Sequence, residues 1–81
     1  ARDGAVFAAA GLPTPPAGKV YQLWFDVDGT MRPAGLLPDS SGTVLMKGSP
    51  RTATAMGVTV EPEGGSRAPT SKPVALMALP G

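Results

Sequence analysis

Val20-Tyr21-Gln22-Leu23-Trp24-Phe25-Asp26-Val27, followed by Asp28-Gly29 and Thr30-Met31-Arg32, is the stretch that decides the fold of this chain. Tyr21, Leu23, Phe25 and Val27 fall on one face at a period of two, and Val20, Gln22 and Trp24 fall on the other. That alternation predicts a strand, central to the fold and buried on much of both faces. Asp28-Gly29 is the dipeptide best suited to a type I′ turn, whose two central residues both need positive φ. The chain is therefore predicted to return through Thr30-Met31-Arg32 toward Gly35-Leu36-Leu37 as a β-hairpin.

The same segment, read as LWFDVDGTM (Leu23 to Met31), also resembles the first motif of the haloacid-dehalogenase phosphatases. In that chemistry Asp26 would attack phosphorus and Asp28 would shuttle a proton, with magnesium screening the charge. The context opposes it. Such an enzyme needs a doubly wound α/β sheet, for which 81 residues leave no room, and a helix where Pro33, Gly35 and Pro38 stand. A calcium loop fails as well, because placing Gly29 at the loop glycine puts Trp24 and Gly35 at ligand positions.

Size and composition narrow the rest. A chain of 81 residues makes one domain with a modest core of short elements, and residues 1–81 are read as a single β domain. Seven basic and six acidic side chains are scattered, so the electrostatic footprint of a nucleic-acid binder is missing. Histidine and cysteine are both absent, which removes the usual general base, the thiolate nucleophile, disulfides and most zinc or copper ligands. The expectation is a non-enzymatic protein without cofactor or metal. No apolar run is long enough to cross a bilayer as a helix, and the start without an initiator methionine suggests a piece excised from a longer protein.

Eleven glycines and ten prolines cluster between apolar runs, as turns between short strands do. No window carries a helical apolar pattern far without meeting one of them. AVFAAA (5–10) is predicted as a strand ending in the irregular GLPTPPAG, TVLMK (43–47) as a short strand, TAMGVTVEP (54–62) as a half-buried strand, and VALMAL (74–79) as the last one. PDSSG (38–42) and GSPRT (48–52) are predicted turns, and EGGSRAPTSKP (63–73) a long polar loop. Five to seven short strands without helices predict an all-β fold, a small antiparallel β-sandwich or partly open barrel.

Individual residues take bland readings first. Trp24 is expected to be the largest piece of the core, and Met31, Met46, Met56 and Met77 flexible core filler. Gln22, if buried, must bond to backbone and is expected to pin the loop that precedes it. Glu61 and Glu63 flank a proline at a strand exit, where solvated charges balanced by Arg67 and Lys72 are expected.

Taken in order, GLPTPPAGKVYQLWF (11–25), the AGLL of residues 34–37 and VTVEPEGGSRAPTSKPV (58–74) resemble the C-terminal domain of the anti-sigma-K factor (RskA-like) family. The resemblance covers about Asp3 to Leu79. Tyr21, Gln22, Leu23, Trp24, Val58, Thr59, Glu61, Pro62, Gly64, Gly65 and Ser66 match its signature positions, and no catalytic residues come with it. It implies a bacterial, single-span membrane protein whose cytoplasmic part holds a sigma factor inactive while this domain sits outside the membrane as a sensor. Release of the sigma factor would follow stepwise cleavage by a site-1 protease and then an intramembrane protease. The resemblance further implies that an N-terminal edge strand is missing, leaving residues 5–10 free to pair with another chain. The alternative is a secreted β-sandwich module that binds a protein or carbohydrate through its Gly/Pro-rich loops, such as 61–73.

Overall fold

A computed structural model describes residues 5–37, 40–47 and 52–79. Six strands follow in chain order: β1 (Ala5–Ala9), β2 (Lys19–Val27), β3 (Thr30–Leu37), β4 (Gly42–Met46), β5 (Ala55–Pro62) and β6 (Ala75–Ala78). Every pairing is antiparallel, in a four-stranded sheet of order β3-β2-β5-β6 and a two-stranded sheet of β1 and β4. The fold is the predicted small β-sandwich. No helix among the described residues is long and apolar enough to cross a membrane.

The hairpin forms as its sequence dictates. Val27 pairs with Thr30 across a two-residue turn in which Asp28 (φ 53°) and Gly29 (φ 83°) both take the left-handed conformation. The Asp26 carboxylate accepts the Gly29 N–H at 3.0 Å, which closes the turn. The two acids of the phosphatase-like motif therefore reverse a ribbon, and β3 occupies the place where that enzyme would put a helix. Further along, Leu23 pairs with Gly35 but Trp24 pairs with Pro33, so Ala34 is the extra residue of a β-bulge. Pro33 is tolerated because β3 is an edge strand, where a missing N–H costs no ladder bond. The Ala34 carbonyl instead accepts the Lys47 N–H at 2.6 Å, joining the two sheets beside the bulge.

Between the sheets lie Tyr21, Leu23 and Phe25 of β2, Met56 and Val58 of β5, Ala34 and Leu37 of β3, Met46 of β4, and Ala53. Phe7, Ala9 and Val44 pack against them from the two-stranded sheet. The Tyr21 hydroxyl donates to the Pro13 carbonyl, so Tyr21 rather than Gln22 pins the preceding loop.

Three expectations need correction. β5 is buried on both faces from Met56 to Thr59, not half-buried, because a polar loop folds back over its outer side. Met46 and Met56 are core, but Met77 on the edge strand β6 is 55% exposed, because the two-stranded sheet does not reach across to cover it. β4 begins one residue earlier than predicted and ends at Met46. Of the predicted turns at 38–42 and 48–52, residues 38–39 and 48–51 lie outside the described residues, as do Pro80 and Gly81.

Candidate functional site

The register of β2 against β5 creates the most unusual feature of the molecule. Gln22 pairs with Thr59 and Val20 with Glu61, so Gln22, Trp24, Thr59 and Glu61 share the outer face of the four-stranded sheet, away from β1 and β4. A face turned from the second sheet would ordinarily be wet. Yet Trp24, Thr59 and Glu61 are each 0% exposed and Gln22 only 3%. The segment 63–73, here called the strap, is what the hydrogen bonds place over Gln22 and Glu61.

Glycine geometry lets the strap turn back. The Gly65 N–H donates to the Pro62 carbonyl at 2.8 Å, with Gly64 at φ 95° in the position a type II turn reserves for glycine. Gly65 is also left-handed (φ 87°), and a Cβ there would lie 3.1 Å from both the Gln22 side-chain oxygen and Leu36 Cδ2. Conformation and space both demand glycine at that point.

Gln22 then reads the strap backbone with both ends of its amide. Its Nε2 donates to the Ser66 carbonyl at 2.9 Å and its Oε1 accepts the Ser66 N–H at 2.7 Å. Such a two-point match satisfies a buried amide as a strand partner would. Deeper in, Trp24 Nε1 donates to Thr59 Oγ1 at 2.8 Å, and that hydroxyl donates onward to Glu61 Oε2 at 2.6 Å. The strap supplies the other donors to Glu61: the Ser66 hydroxyl at 2.8 Å, the Thr70 hydroxyl at 2.6 Å, and the Thr70 N–H shared between the two oxygens at 3.2 and 3.0 Å. Ser71 Oγ adds a bond to the Val60 carbonyl at 2.8 Å.

Glu61 is thus a buried carboxylate satisfied by hydroxyls and a backbone amide, contrary to the solvated charge expected from its place in the sequence. None of its hydrogen bonds comes from Arg67 or Lys72, which the sequence suggested as its counter-charges. Burial works against its ionisation. The hydrogen bonds from Thr59, Thr70 and Ser66 outweigh that and hold its pKa below the ordinary carboxylate value. A carboxylate offers about four acceptor sites, and four donors fill them. The group is saturated, with no free lone pair for a metal, a substrate proton or water. Its chemistry is structural, an anionic latch for the strap.

The signature positions divide cleanly on this geometry. Tyr21, Leu23 and Val58 belong to the core between the sheets, while Gln22, Trp24, Thr59, Glu61 and Ser66 build the latch. Gly64 and Gly65 form the turn after the exposed Pro62. Thr70 and Ser71 were not singled out from sequence. Their signal is a pair of hydroxyl residues in a proline-rich loop after Glu61 and Glu63, and only the strand register makes Glu61 their target.

Residues 1–74 match the family described as anti-sigma-K factor rskA, C-terminal. A Streptomyces griseus protein described as an uncharacterized protein in the phr 5′ region is 54% identical over 81 residues, covering 98% of this chain and 34% of that protein. The anti-sigma-K factor RskA of Mycobacterium sp. (strain KMS) is 35% identical over 81 residues, covering 96% of this chain and 33% of its own. That of Mycobacterium ulcerans (strain Agy99) is 34% identical over 85 residues, with 96% and 35% covered. The chain therefore spans about a third of the length of the relatives it matches. No solved structure matches it. A match running through nearly the whole sandwich, strap included, means that this chain belongs to the C-terminal family of the anti-sigma-K factor RskA.

Proposed function

We propose that this chain is the extracytoplasmic regulatory domain of a single-span transmembrane anti-sigma factor, which controls sigma-factor release through regulated proteolysis. The observation that carries the reading is the match to anti-sigma-K factors along 96% of this chain but only a third of theirs. A shared unit of that size is a domain attached to other parts, and the sigma-binding part lies among those others. The saturated latch supports a structural role over a catalytic one. The domain works by staying folded: while it does, the membrane-proximal cleavage site stays shielded, and loosening it admits the first protease.

The test is a reporter driven by the cognate sigma factor in cells carrying the full-length anti-sigma factor. With the domain intact the reporter is silent under non-inducing conditions. Deleting the domain, or destabilising it with Trp24→Ala, raises output together with cleavage of the full-length protein. Equal output from all three forms, with sigma binding retained, overturns the reading.

Self-association through β1 belongs to the same proposal. Among the described residues β1 pairs only with β4, and it carries no proline or charge to guard its other edge. Val6 and its cross-strand partner Leu45 are 64% and 69% exposed, and clefts of about 230 and 240 Å³ open beside Phe7 toward β6. The occupant is β1 of a second copy. Sedimentation should show a concentration-dependent dimer that Val6→Lys abolishes without loss of fold, and a monomer at all concentrations removes this element of the proposal.

A further inference from the structure

We propose that the strap opens as a unit separate from the two sheets, that the Glu61 carboxylate is the latch that holds it shut, and that its opening uncovers Trp24. The inference stands whether or not the domain regulates a sigma factor.

The strap has the make-up of a locally unstable element. None of its residues joins a sheet ladder; single backbone bonds tie its first residue, Glu63 N–H to the Gly18 carbonyl, and the residue after it, Val74 N–H to the Val58 carbonyl. Apart from half-buried Gly65, Ser66 and Pro69, its side chains are exposed, so little apolar burial holds it down. Adhesion is polar, and it converges on few partners: Gln22, the Val60 carbonyl and, above all, Glu61. Loss of the Glu61 charge weakens every one of its strap bonds at once, while the residues packed between the sheets make no contact with that change. Charge-assisted hydrogen bonds of this kind are about twice as strong as neutral ones, and the Trp24–Thr59–Glu61 relay adds polarisation along its length. Trp24 and Thr59 are fully buried on a face with no second sheet, so water reaches them when the strap lifts.

Trypsin can read the strap alone. Lys72 precedes Pro73, a bond trypsin does not cut, which leaves Arg67–Ala68 as the one susceptible bond between residues 63 and 73. It lies between the anchors Ser66 and Thr70. Lys19–Val20, at the start of the central strand β2, reports global unfolding instead. When reclosing outpaces cleavage, the rate at each bond tracks the open population.

The experiment compares the two rates in wild type, Glu61→Gln and Thr70→Val, together with acrylamide quenching of Trp24, the single tryptophan. Glu61→Gln should raise the Arg67 rate relative to the Lys19 rate by about tenfold or more, and Thr70→Val, which keeps the backbone donor, by about threefold. Quenching of Trp24 should rise in step with the Arg67 rate. If Glu61→Gln unfolds the whole domain, the Thr70→Val ratio decides: a rise upholds the proposal. An unchanged ratio in Thr70→Val overturns it, and so does faster cleavage at Arg67 with Trp24 still shielded.

Discussion

Trp24→Ala should destabilise the domain by about 3–5 kcal/mol. Trp24 is the largest fully buried side chain, and truncating such a residue costs about 3–5 kcal/mol through lost transfer energy and the cavity left behind. A domain of this length has a total stability of roughly 4–12 kcal/mol, so the change removes a large part of it and, at the bottom of that range, all of it. The location makes relaxation poor. The cross-strand neighbour of Trp24 is Gly57, which has no side chain to swing into the space, and a Cβ there would already press on Met31 Cε at 3.0 Å and Leu76 Cδ1 at 3.3 Å. The indole N–H also heads the donor chain into Glu61, so its loss leaves Thr59 Oγ1 without the donor it accepts. Trp24→Phe separates the two contributions, keeping most of the ring and losing the N–H, and should cost about 1–2 kcal/mol. Urea unfolding followed by far-ultraviolet circular dichroism measures both, since the variants lack the intrinsic fluorophore. A Trp24→Ala midpoint within experimental error of wild type would mean that the outer face contributes nothing to stability.

The contrast between the two faces of β2 also shows which information the sequence holds on its surface. Tyr21, Leu23 and Phe25 announce themselves through period-two alternation, and Asp28-Gly29 through the backbone angles only such residues adopt at low cost, so strand, turn and hairpin partner are all local facts. Glu61 does not announce itself. Its neighbours Pro62 and Glu63 are exposed, and it sits at a strand end beside a polar loop. It becomes a buried acceptor only because β5 pairs with β2 in the register that sets Val20 opposite it, and because Gly64 and Gly65 turn the strap back across that face. Gln22 fails the same way: the need for a partner was legible, but the partner lies 44 residues downstream instead of in the adjoining loop. Composition could not supply these pairings, since a strand covered by a loop reads like one facing water. The block resemblance gathered the relevant residues, Gln22, Trp24, Thr59, Glu61 and Ser66, without the geometry that relates them.

Acid should destabilise the domain through Glu61, and the sign follows from what surrounds the carboxyl. Burial alone would favour the neutral acid and raise its pKa. The donors from Thr59, Thr70 and Ser66 favour the anion more strongly, so the folded value lies below the ordinary 4.5. In the unfolded chain the group returns to the ordinary value. Between the two, the unfolded state binds the proton that the folded state refuses, and stability rises with pH across that interval. The contribution is fully present above about pH 4.5 and is lost as the pH falls through the folded value. Glu61→Gln removes this dependence along with the charge. At pH 7 it should be less stable than wild type by about 1.5–3 kcal/mol, the worth of hydrogen bonds to a charged group, because one oxygen becomes an NH₂ that faces the Thr70 N–H with no acceptor to offer. The gap between the two proteins should hold steady from neutral pH to about 5 and close progressively below it, as wild type approaches the variant. Parallel profiles down to pH 3 would show that the carboxylate is not the latch. A wild type that gains stability on acidification relative to Glu61→Gln would show that burial outweighs the hydroxyls, with the strap held by a neutral acid.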